Sequence, residues 1–231
     1  MRMTLLAAVV MGLLALDAHA QAQGKPQAPA SSPVQFQNED EKTLYALGHN
    51  LGAGLVVFGL SPAELEIIKR GLSDSVNGTA PAVNVNQYMG KVQPLAKARQ
   101  AKANELFLAK AAAEKGAITL PSGVIYKELQ AGSGASPRAT DTVSVHYRGT
   151  LITGEEFDSS YKRNQAAEFP LNGVIGCWTE GVQRMKIGTR AKLVCPPKVA
   201  YGEKSTGKIP PNSVLEFEVE LLSIPGNTSK R

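Results

Sequence analysis

The chain has 231 residues, a formal net charge of +5 and a 43% share of hydrophobic residues. This length allows one large or two modest domains, and the apolar fraction is enough for a folded core, which excludes a disordered or fibrous protein. Basic and acidic residues alternate along the whole chain, so we interpret the charge as a solvated surface rather than a nucleic-acid or membrane-binding patch.

The first 20 residues are typical of a secretory signal peptide. Arg2 precedes an apolar run from Leu5 to Leu16, and small residues flank His19, which predicts cleavage after Ala20. The run is too short to span a bilayer, and no cysteine follows it that could carry a bacterial lipid anchor. We therefore expect an exported protein without a membrane span. The periplasm is the first expectation, and the cell surface or secretion are the alternatives.

The next stretches predict a linker and a first helix. Residues 21–37 are rich in Gln, Ala, Pro and Ser, a composition typical of a flexible linker. Acidic residues at 39–41 suit a helix N-terminus, and leucines at 44, 47, 51 and 55 follow at helical spacing. Glycines at 48, 52 and 54 lower the helix propensity, which indicates that another helix packs closely there.

A second helix has a clear start signal. Ser61, Pro62 and Glu64 offer an N-cap, a proline at the first helical position and a glutamate that can complete a capping box. Apolar residues at 65, 68, 72 and 76 then form one stripe, and Gly78 is placed to end the helix.

A third, longer helix is predicted from about Asn84 to Lys115, and it either kinks near Gly90 and Pro94 or begins later. Because residues 96–104 lack a bulky apolar stripe, we expect an exposed stalk. We interpret residues 38–83 as a dimerisation segment and 84–116 as a connecting helix. A self-contained helical domain is the less favoured alternative, because so little apolar surface is available to close a core within one chain.

From residue 117 onward the pattern changes to strands. Apolar and polar residues alternate at 142–149, 190–195 and 215–221, which predicts half-buried antiparallel strands with one solvated face. Between them Trp178, Val182 and Met185 form the stripe of a short helix. The expected fold is α+β: residues 117–231 form a curved antiparallel sheet wrapped around this helix, preceded by an all-α segment.

Most signatures of cofactor or nucleophilic chemistry are missing from the sequence. The predicted mature chain has only His49 and His146, which lie in different regions, so no metal cluster stands out. There is no glycine-rich phosphate loop, and Cys177 and Cys195 are not a C-x-x-C pair. We therefore expect neither metal nor cofactor. What remains is a set of aromatic residues around the single tryptophan, Trp178, which predicts an aromatic-lined cavity.

The order of motifs from about Leu120 to Ser223 resembles the FKBP-type peptidyl-prolyl cis/trans isomerases. The preceding helices are similar to the N-terminal dimerisation segment of exported members, such as the macrophage infectivity potentiator proteins. The resemblance rests on Val145 to Gly149, Gly154 to Ser160, Val174-Ile175, Trp178, Gly181-Val182, Gly188, Ala200 to Gly202, Ile209 to Pro211 and Leu215 to Leu222.

This resemblance implies a role for each matching residue. Trp178 would form the floor of a proline-binding pocket, and Tyr201 would donate a hydrogen bond to the substrate carbonyl. Asp158 would be the polar group of the rim, in reach of Tyr147 and Arg163. The walls would be Tyr147, Phe157, Val174, Ile175, Ile209 and Phe217. Simple core packing of the same aromatic residues is the alternative.

The sequence departs from the family pattern at three positions. Cys177 stands where a small glycine usually precedes the pocket tryptophan, and Ala167 aligns with a wall position that is aromatic in many relatives. Lys208 replaces an apolar residue just before Ile209, which would open the rim or favour acidic flanking residues. The departures bear on substrate preference and on macrolide affinity.

The two cysteines are candidates for a disulfide. Cys195 lies on the inward face of its predicted strand, and Cys177 begins the helix that this face should cover. A bridge closing a loop of this length would contribute about 3 kcal/mol in the chain-entropy model. Two buried free thiols are the alternative.

The predicted function is cis/trans isomerisation of X-Pro bonds in exported proteins, without cofactors. Expected partners are proline-containing unfolded or flexible polypeptides, a second copy of the chain bound through the N-terminal helices, and macrolide inhibitors. The alternative is a periplasmic holdase, a binding module that grips exposed apolar segments and isomerises prolines incidentally.

Overall fold

The computed structural model describes residues 34–226, so the predicted signal peptide and most of the predicted linker lie outside the described residues. The chain divides into two compact units, one ending at Gly48 and the other beginning at His49. In the described range, no helix combines the length and the apolar character that a membrane crossing requires.

The second helix begins where the sequence predicts. The Ser61 hydroxyl accepts a hydrogen bond from the Glu64 amide at 3.3 Å, and the Glu64 carboxylate accepts one from the Ser61 amide at 2.8 Å. This confirms the capping box, which satisfies two amides that the helix itself leaves unpaired. The helices of the described residues are α1 (Glu39–Ala53), α2 (Pro62–Val76), α3 (Val85–Met89), α4 (Val92–Ala112) and α5 (Gly176–Val182).

The predicted long helix is two helices. α3 ends at Met89 and α4 begins at Val92, so the break falls at Gly90 and Lys91. Pro94 is the third residue of α4, where its missing amide costs no intrahelical hydrogen bond. Of the two alternatives left by the sequence, the later start is therefore the one observed.

The described strands form one antiparallel sheet, in the order β1, β2, β6, β7, β3, β4, with β5 paired to β3 beside β4. Together with the helices that precede it and the short helix α5, this sheet confirms the α+β fold class. The strands are β1 (Ala117–Thr119), β2 (Ile125–Gln130), β3 (Thr142–Leu151), β4 (Glu156–Ser159), β5 (Ala167–Pro170), β6 (Arg190–Cys195) and β7 (Leu215–Ser223).

The inner face of the sheet forms the main core with α5. Val143, Val145 and Tyr147 of β3 are buried, and the residues between them are not, as the predicted alternation requires. β7 alternates in the same way along its length. Both strands pack against Trp178 and Val182 of α5, so the sheet curves around this helix.

The sequence predicts that the outer face of the sheet is solvated, but one end of this face is covered. At the β2 and β6 end, Ile125 and Val194 are buried in a second apolar cluster together with Ala111 of α4 and Val214. Phe107 and Leu108 of α4 pack against the same cluster. The C-terminal half of α4 therefore covers this end of the sheet.

Polar contacts hold α4 in this position. The side-chain amides of Gln100 and Asn104 donate hydrogen bonds of 2.8 Å to the backbone carbonyls of Pro211 and Asn212, respectively. Just beyond the helix, the Glu114 carboxylate contacts the ammonium groups of Lys192 at 2.5 Å and Lys127 at 3.0 Å. The expectation of an exposed stalk is thus wrong for this half of the helix, because a few apolar residues near its end and several polar side chains make its contacts without a continuous apolar stripe.

The packing of α4 predicts a difference between two adjacent alanines. Ala111 is 3% exposed in the second cluster, whereas Ala112 is exposed on the same helical turn. Ala111→Asp should lower the free energy of unfolding by about 3 kcal/mol, because it places a carboxylate in an apolar contact. Ala112→Asp, the matched control, should cost less than about 1 kcal/mol. If urea unfolding showed equal losses of unfolding free energy for the two variants, the result would contradict the packing of α4.

Candidate active site

A pocket of about 510 Å³ opens at the end of the sheet where α5 begins. Trp178 of α5 is 4% exposed and lies among three other aromatic rings. The ring centroids of Tyr147, Phe217 and Phe169 lie 5.2, 5.4 and 5.6 Å from the indole, all at interplanar angles of 85° to 88°. These are edge-to-face contacts, which fix the indole in one orientation.

Glycine is required on β3 for this arrangement. A Cβ atom at Gly149 would lie 2.6 Å from the ring of Phe157 and 2.9 Å from the ring of Phe217. These two rings pack edge to face at 5.5 Å on the space that the absent side chain leaves. Any side chain at position 149 would therefore displace two walls of the pocket.

The helix that carries Trp178 is attached to β6 by two contacts. A Cβ atom at Gly181 would lie 2.6 Å from the Leu193 side chain, so the glycine allows close approach of α5 to the strand. Cys177 and Cys195 are joined by a disulfide with a Cα separation of 5.6 Å, and both are fully buried. The floor of the pocket is thus linked covalently to the sheet.

The polar side of the pocket is a closed network around Asp158. Its carboxylate accepts hydrogen bonds from the Tyr147 hydroxyl, from the Arg163 guanidinium and, at 2.8 Å, from the Ser159 amide. The guanidinium also donates to the Tyr147 oxygen at 2.9 Å. Both carboxylate oxygens are therefore occupied by groups of the protein.

This network holds its groups in fixed protonation states at neutral pH. Burial alone would raise the pKa of Asp158, but the hydrogen bonds from Tyr147 and Arg163 outweigh it, so the pKa lies below its ordinary value. Burial and the hydrogen bond to Asp158 raise the pKa of the Tyr147 phenol. The carboxylate stays ionised and the phenol stays protonated, which leaves neither poised to exchange a proton with a substrate.

Two donors in the pocket have no hydrogen-bond partner among the described residues. One is the hydroxyl of Tyr201, which is exposed at the pocket mouth. The other is the indole Nε1 of Trp178, which is buried. The exposed hydroxyl of Tyr201 is free to donate to a carbonyl brought by a ligand, whereas the buried indole N–H remains an unpaired donor beneath the floor of the pocket.

The structure brings nearly all the predicted site residues together. Arg163 is the exception, since it does not line the pocket and acts from behind through Asp158 and Tyr147. The residues that line the pocket as predicted are Tyr147, Phe157, Asp158, Val174, Ile175, Trp178, Tyr201, Ile209 and Phe217.

The walls assigned from the family resemblance do not include one wall of the pocket, Phe169. Ala167 aligns with an aromatic position of the family but does not line the pocket, whereas Phe169 does. The two residues share a face of β5, where they pair with Val145 and Val143 of β3. The alternation of β5 with this register was the signal that could have identified Phe169. The lining residues that were not predicted as part of the site are Gly173, Thr206 and Gly207, and Lys208, which the sequence placed at the rim, also lines the pocket.

The chain is similar in sequence to a known family of enzymes. The family model for FKBP-type peptidyl-prolyl cis-trans isomerases matches residues 134–222, which include the whole pocket. FkpA of Escherichia coli strain K12, an FKBP-type peptidyl-prolyl cis-trans isomerase, is 38% identical over 222 residues that cover 87% of this chain and 81% of FkpA. The chain belongs to the FKBP-type peptidyl-prolyl cis-trans isomerases.

The family likeness includes the helical segment. The model of the domain amino-terminal to FKBP-type isomerases matches residues 40–127. The outer membrane protein MIP of Legionella longbeachae is 32% identical over 239 residues, which cover 97% of this chain and 98% of that protein. The crystal structure of FkpA from Escherichia coli matches with 36% identity and a TM-score of 0.52, covering 82% of this chain and 98% of that one. The predicted family, fold class and isomerase function are thereby confirmed.

The disulfide of this FKBP domain predicts the outcome of a thiol titration. The denatured, unreduced protein should show no reactive thiol, because Cys177 and Cys195 are its only cysteines and are paired. Replacing both by alanine should lower the free energy of unfolding by about 2 to 4 kcal/mol. Two reactive thiols in the denatured wild-type protein would refute the bridge.

Proposed function

We propose that the pocket accelerates rotation about X-Pro bonds of exported polypeptides by seating the proline ring on Trp178. The observation that carries the proposal is the ring of aromatic side chains around this buried indole. It offers a flat apolar floor with aromatic walls, and the one carboxylate of the lining, Asp158, already accepts hydrogen bonds from the protein at both oxygens.

The energetics of the reaction suit such a pocket. Rotation about a peptide bond is opposed by amide resonance, with a barrier of about 18 to 20 kcal/mol, and uncatalysed X-Pro exchange takes tens to hundreds of seconds. Twisting the amide reduces the charge separation of its resonance form, so an apolar cavity favours the twisted state over the planar one more than water does. Lowering the barrier by about 7 kcal/mol would accelerate rotation roughly 10⁵-fold. No proton transfer or covalent step is needed.

Tyr201 supplies the aimed donor in this mechanism. Its hydroxyl is at the pocket mouth and has no partner among the described residues, so it can hydrogen-bond a substrate carbonyl without first breaking a protein contact. The Asp158 network has a different role. It holds the Tyr147 ring as a wall and engages both oxygens of the Asp158 carboxylate with donors of the protein.

Exported clients and macrolide binding belong to the same proposal. The sequence pattern of residues 1–20 supports export, most simply to the periplasm, and the clients are then unfolded or flexible polypeptides that contain proline. Macrolide inhibitors should compete for the pocket because they would occupy the same floor and walls.

Variants of two tyrosines test the isomerase proposal. Tyr201→Phe should reduce kcat/KM in a prolyl peptide assay about fivefold to tenfold, the value of one net hydrogen bond. Tyr161→Phe is the matched control, since Tyr161 lies outside the pocket and its hydroxyl contacts Glu220 at 3.3 Å. Full turnover by Tyr201→Phe would contradict the donor role, and absence of turnover and of macrolide inhibition in the wild type would overturn the proposal.

The same assay separates the isomerase from the holdase. Asp158→Ala and Tyr201→Phe are compared for prolyl turnover and for protection of an aggregation-prone client. Parallel loss of both activities would support an isomerase whose pocket contacts its clients. Loss of turnover with full protection of the client would favour the holdase.

We also propose that the chain forms a homodimer through its N-terminal helices. Neither α1 nor α2 has a buried residue, although both carry apolar stripes. Leu51 is 52% exposed, Leu72 54% and Val76 77%. A Cβ atom at Gly52 would meet no atom within 4 Å among the described residues. A second copy would cover the stripes and use the close approach that this glycine allows.

Light scattering on the full-length protein tests the dimer. The wild type should have twice the mass of one chain, and Leu72→Glu should shift it toward the monomer because a carboxylate would enter the apolar interface. Ser73→Glu is the matched control, about 100° further round the same helix. A monomeric wild type would refute the dimer, and equal behaviour of the two variants would remove the α2 stripe from the interface.

A further inference from the structure

The pocket lining contains two charged side chains, and only one of them is neutralised. Asp158 is paired with Arg163. Lys208 also lines the pocket, and no acidic residue of the described chain forms an ion pair with it. Nearby in the same loop, Glu203 lies 3.8 Å from Lys97 of α4, so it faces another cation. The pocket rim therefore carries one uncompensated positive charge.

The backbone beneath Lys208 is fixed, so this charge has a defined origin. Thr206 and Ile209 exchange two backbone hydrogen bonds, of 3.0 and 2.9 Å, across a two-residue turn made by Gly207 and Lys208. Gly207 has a φ of +55°, a conformation that favours glycine. Ile209 is 5% exposed and anchors the turn in the core. The exposed side chain of Lys208 projects from a rigid tip.

Lys208 also borders a second cavity. A groove of about 590 Å³ lies between α4, residues 53–59 and the sheet, and Lys208 is the residue that lines both this groove and the proline pocket. A polypeptide that leaves the proline pocket across the 206–209 turn would therefore pass beside the ammonium group.

We propose that Lys208 is a specificity-determining residue that selects X-Pro bonds flanked by aspartate or glutamate within two residues of the proline. The inference rests on the proposed function, because it concerns which substrates the same pocket turns over. A carboxylate a few ångströms from the ammonium group gains an attraction that survives partial hydration and that salt weakens. A lysine at this tip accordingly favours acidic substrates and disfavours basic ones.

The test compares peptides that carry glutamate or glutamine at each of the two positions before and after the proline, with uncharged blocked termini. At low salt the wild type should prefer glutamate over glutamine about threefold to fivefold in kcat/KM at one or more of these positions. The ratio of kcat/KM for glutamate to that for glutamine should fall to about one in Lys208→Gln and below one in Lys208→Glu. In the wild type it should approach one at high salt.

The control variant is Lys204→Gln, which removes a charge from the same loop at a residue that lines neither cavity. It should keep the wild-type activity and the glutamate preference. The proposal is overturned if the glutamate-to-glutamine ratios of the wild type and Lys208→Gln agree at every position, or if Lys204→Gln abolishes the preference as fully. Failure of the proposed function itself would look different, because the wild type would then turn over none of the peptides.

Discussion

The contact between α5 and β6 is the constraint on which the pocket depends. α5 has seven residues, too few to be a stable helix by itself, so its position is set by what it packs against. Gly181 lets it approach Leu193 closely, and the disulfide fixes its first turn to the end of the strand. Because β6 lies between β2 and β7, this contact fixes the indole of Trp178 to an inner strand of the sheet.

This rigidity matters because the proposed chemistry uses shape and solvation instead of proton transfer. The aromatic walls pack against one another on the space left by Gly149, and both oxygens of the Asp158 carboxylate accept hydrogen bonds from the protein. The pocket mouth keeps Tyr201 as an unpaired donor. An amide that enters meets a preformed apolar cavity with one directed hydrogen bond, so little reorganisation remains for the reaction itself.

The fold and most of the site could be predicted because their signals are local. The capping box at Ser61, the alternation of β3 and the motif around Trp178 each lie within a few residues. The placement of α4 could not, since Gln100 and Asn104 contact a loop more than a hundred residues away and mark no apolar stripe. Phe169 was not assigned as a wall for a related reason: its place in the pocket depends on the register of β5 against β3.

The attachment of α4 also makes the protein sensitive to acid in a defined direction. Hydrogen bonds with Lys192 and then Lys127 hold the pKa of Glu114 below its ordinary value of 4.5. The ionised Glu114 therefore stabilises the folded state fully at pH values above its ordinary pKa. This contribution is lost as the pH falls through the lower pKa that Glu114 has in the folded protein. Strong acid would release both lysines together and weaken the hold of α4 on the sheet. The apolar cluster around Val194 is the part of the outer face that this contact helps to keep from water.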